Sequence, residues 1–473
     1  MKKLKTFVVL FAILIVNNLS AQHVALDSTF GKNGLTVFSD VANFQYFGID
    51  NKSNIIAVVS NGTSLTIAKT DADGEIDSNF GIDGILKLPE YHHAFPFGLK
   101  ITKKNKILII GRFQYPATKT IIMQFNEDGS FDDTFGDNGR IITNSISPNL
   151  PKVNLENDDF TLVGETFPTF RISKYNYSGE PDKTFGENGT VSLSDNETFN
   201  IWPLCIKILR DQTIFIAGKI EQRRKNECGY YFQDCLFFCK LAQQGDFVTD
   251  FADNGKMIMN IKNDPEWYES FSDVIEDDAG NLVLTGSTAH CWTGYSTSFI
   301  CSFNSKGKIN SNFGQNGFFN LPYSIDRKII QSGNRYLIGN NHTIISVKKN
   351  GTLDLGFNNT GVFFSDSCSF RDLKLQSDNK VILAGSAIAR INIPLSNPII
   401  EIDSTSDMLT IFPNPAKDYL YFNTDLPFEI FDLQGKILLI SKKSTQSVYI
   451  GHLKAGVYFI RFGNNTVMKF VKE

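Results

Sequence analysis

Three acidic side chains beside a tryptophan are the sequence's best candidates for catalysis. Asp264, Glu266 and Glu269 flank Trp267 in the stretch KNDPEWYESF. Two carboxylates at a suitable separation are enough for glycoside hydrolysis, one as acid and the other as base or nucleophile. The chain has six histidines, and it contains no G-x-S-x-G, H-E-x-x-H or phosphate-loop signature. We therefore do not expect an enzyme, and a surface hydrolase or lyase stays as an alternative.

Aromatic and arginine side chains are the candidates for ligand binding. Aromatic rings on a rigid scaffold stack on sugar rings or grip a peptide, and arginines bind anionic groups. The alternative is that the rings pack long loops against the scaffold and that the basic run is a solvated charge cluster. The candidate residues are Trp202, Arg223, Arg224, Tyr230, Tyr231, Trp267, Tyr268, Trp292 and Tyr295.

Metal-binding patterns are weak in this sequence. The neighbouring His92 and His93 have no acid or cysteine partner at ligand spacing. Asp71, Asp73 and Asp77 in DADGEID resemble the start of a calcium loop, but the twelve-residue ligand pattern is missing. We expect neither a metal nor another cofactor, and we predict that these acids cap turns.

The elements that position these residues are repeats. The stretch LDSTFGKNG at residues 26–34 returns six times with variations, at a mean interval of about 54 residues. A period of this length indicates repeated supersecondary units, each unable to bury its own apolar face. The motif phenylalanines are Phe30, Phe80, Phe135, Phe185, Phe251, Phe313 and Phe357.

Each unit carries the patterns of four short strands. Six of the seven units have an apolar run that ends in glycine, such as ILIIG and VILAG. A second segment alternates Lys69, Gln124, Lys174, Lys240 or Ser302 with apolar neighbours, which is typical of a half-buried strand. Seven four-stranded antiparallel sheets without covering helices predict an all-β fold, a seven-bladed β-propeller over residues 22–392. An open β-solenoid is the alternative.

The motif itself has a physical reason in such a fold. Its acid can cap the turn backbone, and its phenylalanine can fill the gap between neighbouring sheets. We expect its glycines to adopt positive φ where the fourth strand hands over to the next blade. Asn358 replaces the first glycine in the last copy and suits positive φ, whereas Ala252 in the fifth copy is not explained.

These tandem motifs resemble a known family. DADGEIDSNFGIDG and NEDGSFDDTFGDNG, together with the glycine-ended apolar runs, resemble the delta-60 repeat family of secreted β-propellers over about residues 24–392. The resemblance implies the propeller fold. It transfers no catalytic residue.

The beginning of the chain predicts export. Three lysines precede the apolar run TFVVLFAILIV, and Ser20 and Ala21 form a small-residue cleavage site before Gln22. The apolar run is shorter than a membrane-spanning helix, so we interpret residues 1–21 as a signal peptide. A net charge of −4 with scattered lysines argues against a nucleic-acid partner.

An exported chain permits disulfides. Seven cysteines leave at least one unpaired within a monomer. Cys228 and Cys235 flank GYYFQD and are a possible pair. Cys239 and Cys301 occupy strand patterns, where we expect small buried apolar side chains.

The end of the chain has different patterns. After a linker at residues 393–408, residues 409–473 show short alternating strands separated by turns, which predict a small Ig-like β-sandwich. These residues resemble the type A C-terminal sorting domain of the type IX secretion system in Bacteroidetes. The residues that carry the resemblance are Pro413, Asn414, Pro415, Asp418, Asp432, Gly435, Lys436, Leu453, Gly456, Val457 and Tyr458.

That resemblance implies a route and a destination. It implies contact with the type IX secretion machinery, passage across the outer membrane, and a secreted or outer-membrane surface location, commonly with attachment to lipopolysaccharide. The long aromatic segments at 89–98, 195–203, 221–234, 262–271 and 288–297 are expected as loops on one face of the propeller. We therefore predict a surface propeller that binds a glycan or a protein, with a ligand-free scaffold as a further alternative.

Overall fold

The computed structural model consists of strands, joined by turns. It describes residues 24–39, 41, 43–91, 94–113, 119–143, 152–154, 160–165, 170–176, 180–193, 200–226, 229–261, 264, 266–293, 296–323, 328–393, 411–422, 424, 426–432, 435–441, 446–463 and 467–473. The chain divides into two compact units, a larger one that holds the repeats and a smaller one at the end of the chain.

The larger unit begins with two short strands, β1 (Ala25–Leu26) and β2 (Leu35–Thr36). Six four-stranded sheets follow. Sheet 1 contains β3 (Tyr46–Ile49), β4 (Ile55–Ser60), β5 (Leu65–Thr70) and β6 (Ile85–Leu88), and sheet 2 contains β7 (Phe95–Ile101), β8 (Ile107–Phe113), β9 (Lys119–Phe125) and β10 (Arg140–Thr143). Sheet 3 contains β11 (Lys152–Asn154), β12 (Phe160–Glu165), β13 (Phe170–Tyr175) and β14 (Thr190–Leu193). Sheet 4 contains β15 (Asn200–Ile208), β16 (Ile214–Asn226), β17 (Gly229–Leu241) and β18 (Lys256–Met259).

The remaining sheets of this unit follow the same order. Sheet 5 contains β19 (Trp267–Glu276), β20 (Leu282–His290), β21 (Ser296–Phe303) and β22 (Phe318–Asn320), and sheet 6 contains β23 (Lys328–Ser332), β24 (Arg335–Asn340), β25 (Thr343–Lys348) and β26 (Val362–Phe364). Sheet 7 contains β27 (Phe370–Leu375), β28 (Val381–Gly385) and β29 (Ile388–Asn392), completed by β1 and β2. A single 3-10 turn, Pro89–Tyr91, is the helical element of the described residues.

The first strands of these sheets form a closed series. Each of β3, β7, β11, β15, β19 and β23 contacts the first strand of the next sheet, and β27 contacts β3 again. The strands within each sheet are antiparallel and are paired in chain order. The all-β propeller prediction is confirmed, and the open solenoid is wrong because the last sheet meets the first.

The two ends of the repeat region meet in sheet 7. Both β1 and β2 pair with β29, so the first copy of the motif completes a sheet whose other strands lie more than 330 residues later in the sequence. The side chains of Arg390 on β29 and Asp27 are buried, and Nε of Arg390 lies 2.8 Å from Oδ2 of Asp27. The first copy of the motif therefore closes the ring of sheets, because its strands complete the last sheet.

The position of the motif corrects one sequence expectation. In sheet 1 the motif lies between β5 and β6, and these strands pair with each other. The motif glycines therefore shape a turn between two strands of the same sheet. They do not lie in the connection from one blade to the next. A strand before the motif and a strand after it have the same periodicity, so the sequence did not show which sheet each one joins.

The motif phenylalanines fill the gaps between sheets, as predicted. Phe80 is fully buried in one apolar cluster with residues from both sheet 1 and sheet 2. Gly129, in the turn of sheet 2, has φ 90°, and a Cβ added there would lie 3.0 Å from the Phe80 ring, so the ring packs directly against this turn. The other described members that join neighbouring sheets in the same way are Phe30, Phe135, Phe185, Phe251 and Phe313.

The motif glycines have positive φ in all seven copies. The second glycine ranges from φ 76° at Gly361 to φ 95° at Gly317. At the first position Asn358 (φ 52°) and Ala252 (φ 47°) adopt the same left-handed backbone as the glycines. Nothing in the structure explains why alanine stands at 252.

The motif acid caps its turn and also binds the third strand. Oδ1 of Asp132 accepts the Thr134 N–H at 3.2 Å, and Oδ2 accepts the Gln124 side-chain amide at 2.8 Å. In sheet 1 the pair is Asp77 and Lys69, with Nζ and Oδ2 3.0 Å apart. In these two sheets the polar residue of the third strand, Lys69 or Gln124, is therefore a buried partner of the motif acid.

The fifth copy shows how this pairing is replaced. Val248 stands where five other copies carry an aspartate and the sixth copy carries Asn310, yet Lys240 remains on the third strand and is buried. Nζ of Lys240 binds Oδ2 of Asp211 at 2.9 Å, an acid in the turn between β15 and β16. A buried ammonium must be paired, and the neighbouring turn supplies the carboxylate.

We predict that Asp132 makes the protein sensitive to acid. Burial alone would raise the pKa of Asp132, but hydrogen bonds from Thr134, Gln124 and Lys106 outweigh it and lower the pKa from 3.8 to about 2. The stabilisation from this group is present above pH 3.8 and is lost as the pH falls toward 2, by about 2 kcal/mol. Urea unfolding of the wild type and of Asp132→Asn between pH 5 and pH 2 measures this. A pH dependence as steep in the variant as in the wild type would contradict the assignment.

The glycine at the end of the second strand also has a structural reason. Gly111, Gly218, Gly286 and Gly385 each lie opposite a β-bulge in the first strand of their sheet. The bulge brings backbone atoms toward the glycine, so that a Cβ added at Gly286 would lie 2.5 Å from the Ser270 carbonyl oxygen. The repeated glycine therefore marks a close approach of two main chains.

The smaller unit is a sandwich of two sheets. One sheet has the order β30 (Ile411–Phe412), β31 (Tyr419–Phe422) and β34 (Ser447–Tyr449). The other has the order β33 (Ile437–Ser441), β32 (Phe428–Phe431), β35 (Gly456–Phe462) and β36 (Val467–Lys472). Leu420, Phe422, Ile430, Ile460 and Phe470 are buried in one shared core. The predicted small β-sandwich is confirmed.

Over the described part of the chain, no helix has the length and apolar character needed to cross a membrane. The predicted signal peptide and its cleavage site between Ala21 and Gln22 lie outside the described residues.

Candidate ligand-binding end of sheets 4 and 5

Each sheet of the propeller has two different ends. The motif turn and the turn between the first and second strands lie at one end, which we call the motif end. The start of the first strand and the hairpin between the second and third strands lie at the other. In sheets 4 and 5 this second end carries the predicted site residues, and we call it the aromatic end.

A braced turn forms the aromatic end of sheet 5. Trp267 opens β19 and lies opposite His290 at the end of β20, with ring centroids 5.2 Å apart and ring planes perpendicular. Nε2 of His290 lies 3.3 Å from Oε2 of Glu266. On its other side, Nδ1 of His290 accepts the backbone N–H groups of Trp292 and Thr293 at 3.3 and 3.4 Å. The imidazole thus links Glu266, just before β19, to the turn that follows β20.

This turn presents Trp292 to solvent. Its side chain is 81% exposed, although its backbone is fixed by His290. Tyr268 is 54% exposed, and it alternates with the half-buried Trp267 along β19, so it lies on the other face of the strand. The structure therefore brings Trp267 and Trp292 together at His290 and places Tyr268 on a separate surface.

The aromatic end of sheet 4 is a long hairpin where the sequence suggested a loop. β16 and β17 have 13 residues each and pair up to Asn226 and Gly229. β15 pairs with β16 as far as Glu221, and among the described residues 222–226 and 229–233 pair with each other and form a two-stranded arm. In this arm Arg223 lies opposite Phe232, and Arg224 lies opposite Tyr231.

Several other predicted residues are placed only in part. Trp202 lies in β15 opposite Lys219, and Tyr230 lies in the arm opposite Lys225; for both, only the backbone is described. Tyr295, Cys228 and the pair His92 and His93 lie outside the described residues. Parts of the predicted loop segments 195–203, 221–234, 262–271 and 288–297 are strands instead, namely residues 200–203, 221–226, 229–234, 267–271, 288–290 and 296–297.

The acids near Trp267 have structural partners. Glu269 is 2% exposed, and its carboxylate accepts the N–H of Ile261. Oδ1 of Asp264 accepts the Glu266 N–H at 2.9 Å, and Glu266 itself is paired with His290. These three carboxylates shape the turn that holds Trp267.

The remaining candidate patterns have structural roles too. Oδ1 of Asp71 accepts the N–H groups of Asp73 and Glu75, each at 2.9 Å, which is the predicted turn capping. Cys239 and Cys301 are fully buried strand residues, as expected, and burial raises the pKa of both thiols. Within the described residues, no group of three or more histidine, cysteine or acidic side chains is arranged to hold a metal ion.

Sequence reasoning missed an ionic cluster on the first strands. Oδ2 of Asp273 lies 3.8 Å from Nζ of Lys328 and accepts the Ile329 N–H at 3.3 Å, which ties β19 to β23. The Asp273 carboxylate raises the pKa of Lys328. On β27, Asp372 and Lys374 pair at 3.7 Å, and burial lowers the pKa of Lys374. Period-two alternation could have indicated which face of the strand these residues occupy. It could not have indicated their partners on other sheets.

The sorting-motif residues of the smaller unit build its fold. The Asn414 side chain accepts the Val471 N–H at 2.8 Å and donates to the Lys469 carbonyl at 3.1 Å, so it holds the terminal strand β36. Gly435 has φ 78° in a turn that Asp432 caps through the Lys436 N–H. The Tyr458 hydroxyl donates to the Lys454 carbonyl at 2.8 Å, and its ring stacks on Phe470.

Further motif positions also have backbone roles. The Asp418 carbonyl accepts the N–H of Ile450 at 2.7 Å, and Gly456 and Val457 open β35 opposite β36. Pro413 and Pro415 stand on either side of Asn414, whose side chain bonds to β36.

Two family models match the chain. The secretion system C-terminal sorting domain matches residues 410–473, and the DUF5122 β-propeller domain of unknown function matches residues 105–135. The first confirms the predicted sorting domain, and the second supports the predicted secreted-propeller repeats. A sorting domain of this kind implies contact with the type IX secretion machinery and a secreted or surface location. No curated protein matches the chain significantly.

Solved structures give only distant likenesses. Virginiamycin B lyase from Staphylococcus aureus has 11% identity and a TM-score of 0.43, covering 76% of this chain and 98% of its own. Drosophila Semaphorin 2a has 8% identity and a TM-score of 0.48, covering 93% and 97%. PorZ, a bacterial surface component of the type IX secretion system of Porphyromonas gingivalis, has 11% identity and a TM-score of 0.19, covering 91% and 75%. At TM-scores below 0.5 these likenesses say nothing about the function of this chain.

The larger unit is thus a β-propeller that contains a DUF5122 repeat, and the chain ends in a secretion system C-terminal sorting domain.

Proposed function

We propose that this protein is a surface or secreted propeller that binds a glycan or a protein through the aromatic end of sheets 4 and 5. The observation that carries the proposal is Trp292, a ring 81% exposed on a backbone that His290 fixes. A solvent-exposed indole on a hydrogen-bonded turn can bury its apolar surface against a partner, and such rings stack on sugars or anchor a peptide.

The surroundings of Trp292 suit a ligand with both apolar and polar groups. Trp267 is half-buried beside His290, and the Glu266 carboxylate is more than half exposed. The arm of sheet 4 adds Arg223, Arg224 and Tyr231 to the same end, where they would pair with anionic or polar groups. The proposal also includes export through the signal peptide at residues 1–21 and attachment to lipopolysaccharide after sorting.

We expect Trp292→Ala to weaken binding at least tenfold, since losing one stacked ring costs about 1.4 kcal/mol. The triple variant Trp202→Ala, Trp267→Ala and Trp292→Ala should abolish binding. The measurement is retention of the mature protein on arrays of glycans and host proteins, followed by titration of the best ligand.

Ile82→Ala is the matched control. Ile82 is also 81% exposed, but it lies in a motif turn at the motif end of sheet 1. It should bind as the wild type does. Equal retention of the wild type and the triple variant would reject the aromatic end as the site.

A further inference from the structure

The sorting domain carries an aromatic row on the outer face of its three-stranded sheet. Phe412 stacks on Tyr421 with centroids 5.9 Å apart, Tyr421 lies 6.2 Å from Tyr419, and Tyr419 lies 5.2 Å from Tyr449. The His452 ring continues the series 6.1 Å from Tyr449. We call these five side chains the aromatic row.

The row follows from the register of the strands. Tyr419 pairs with Tyr449 and Phe412 pairs with Tyr421, so all four rings point to one face. The alternate residues Leu420, Phe422 and Val448 point to the other face and are buried in the core of the sandwich. The row is thus extra to the core, because the core face is already filled.

Three of the five rings are exposed to solvent, Tyr419, Tyr449 and His452, whereas Phe412 and Tyr421 are half-buried. Tyr419 is 48% exposed and Tyr449 is 52% exposed. Aromatic rings in a continuous exposed patch are typical of interaction sites, where tyrosines contribute much of the binding energy.

Three other motif residues of the domain make contacts within its own fold. Asn414 holds β36, Asp432 caps the turn at Gly435, and Tyr458 packs on Phe470. These residues belong to the sequence motif of the domain, but their polar groups form contacts within the domain. A secretion apparatus must still distinguish the folded domain from other proteins by its surface.

We infer that the aromatic row is the surface by which the secretion machinery recognises this domain, through a protein face that offers proline or aliphatic side chains. Flat aromatic rows bind such side chains well, because the ring faces match their shape and exclude water. The exposed Lys417 and Asp418 precede Tyr419 and add polar contacts at the edge. This inference rests on the sorting role of the domain and is independent of the ligand proposed for the propeller.

The test is export of the full chain from a host with type IX secretion. In Tyr419→Ser/Tyr449→Ser we expect the surface and medium fraction to fall at least tenfold, close to a chain truncated before residue 406. Tyr419→Phe/Tyr449→Phe keeps the rings and should be exported normally. Thermal unfolding of the purified proteins shows whether the domain still folds; if the double serine variant does not, the single variants Tyr419→Ser and Tyr449→Ser take its place.

Ile440→Ser is the matched control. Ile440 is 56% exposed in β33, on the other sheet of the same domain. Export of the control together with retention of the folded serine variant supports the inference. Normal export of the serine variant, or equal retention of both, overturns it.

Discussion

Arg390→Ala should lower the free energy of unfolding of the propeller by about 3 kcal/mol, the low end of the cost of breaking a buried ion pair, because Lys380 still pairs with Asp27 at 3.0 Å. Arg390 joins three parts of the chain that are remote in sequence. Its Nε binds Asp27 at 2.8 Å, its Nη1 donates to the Ala72 carbonyl at 2.9 Å, and its Nη2 donates to Oγ1 of Thr29 at 3.1 Å. Loss of the guanidinium therefore opens the junction where the first motif completes the last sheet.

Thermal and urea unfolding measure this effect, with Lys52→Ala as the control. Lys52 forms an exposed ion pair, with Nζ 2.8 Å from Oε2 of Glu127 and the two side chains 63% and 42% exposed. Exposed pairs contribute at most about 1 kcal/mol. If the two variants lost equal stability, the closure of the ring would not depend on Arg390.

The repeat could be predicted from the sequence because its signals are local. The motif glycines and the acid three residues before Phe80 act within a single turn, and the structure gives them the expected positive φ and capping bonds. The fold class follows from strand periodicity and the absence of helical patterns. The sheet to which each strand belongs does not, because pairing joins segments on both sides of the motif.

The polar positions of the third strand show a second limit. Alternation indicated that Lys69 and Gln124 lie on half-buried strands, but it did not reveal their partners. The motif turn folds back so that the Asp77 N–H donates to the Lys69 carbonyl at 3.1 Å, which brings the Asp77 carboxylate to the Lys69 ammonium. Only the folded turn creates that contact.

The candidate site shows a third limit. The segment at residues 222–233 is polar and aromatic without an apolar period, so the sequence suggested a loop, yet its backbone continues the hairpin of β16 and β17. Residues without period-two alternation give no strand signal, so a paired hairpin could not be predicted here. The contact between Glu266 and His290 could not be predicted either, since Glu266 precedes β19 and His290 ends β20, so the two residues are far apart in the sequence.

Gly385→Ala should destabilise the propeller by at least about 3 kcal/mol, at the upper end of what overpacking costs. A Cβ at this position would lie 2.2 Å from the Ser369 carbonyl oxygen and 2.5 Å from Cα of Phe370, and neither backbone atom can move without breaking the bulge opposite β28. The backbone of Gly385 does not have positive φ, so the cost comes from this contact alone.

Gly98→Ala provides the comparison that isolates the contact. Gly98 also follows a bulge, in β7, but a Cβ there would meet nothing within 4 Å, and its φ is not positive. Because alanine also restricts the unfolded chain, Gly98→Ala should be neutral or slightly stabilising. Equilibrium unfolding in urea compares the two variants directly. If both variants were equally stable, the close approach of the first strand would not be the reason why a glycine repeats at the end of the second strand.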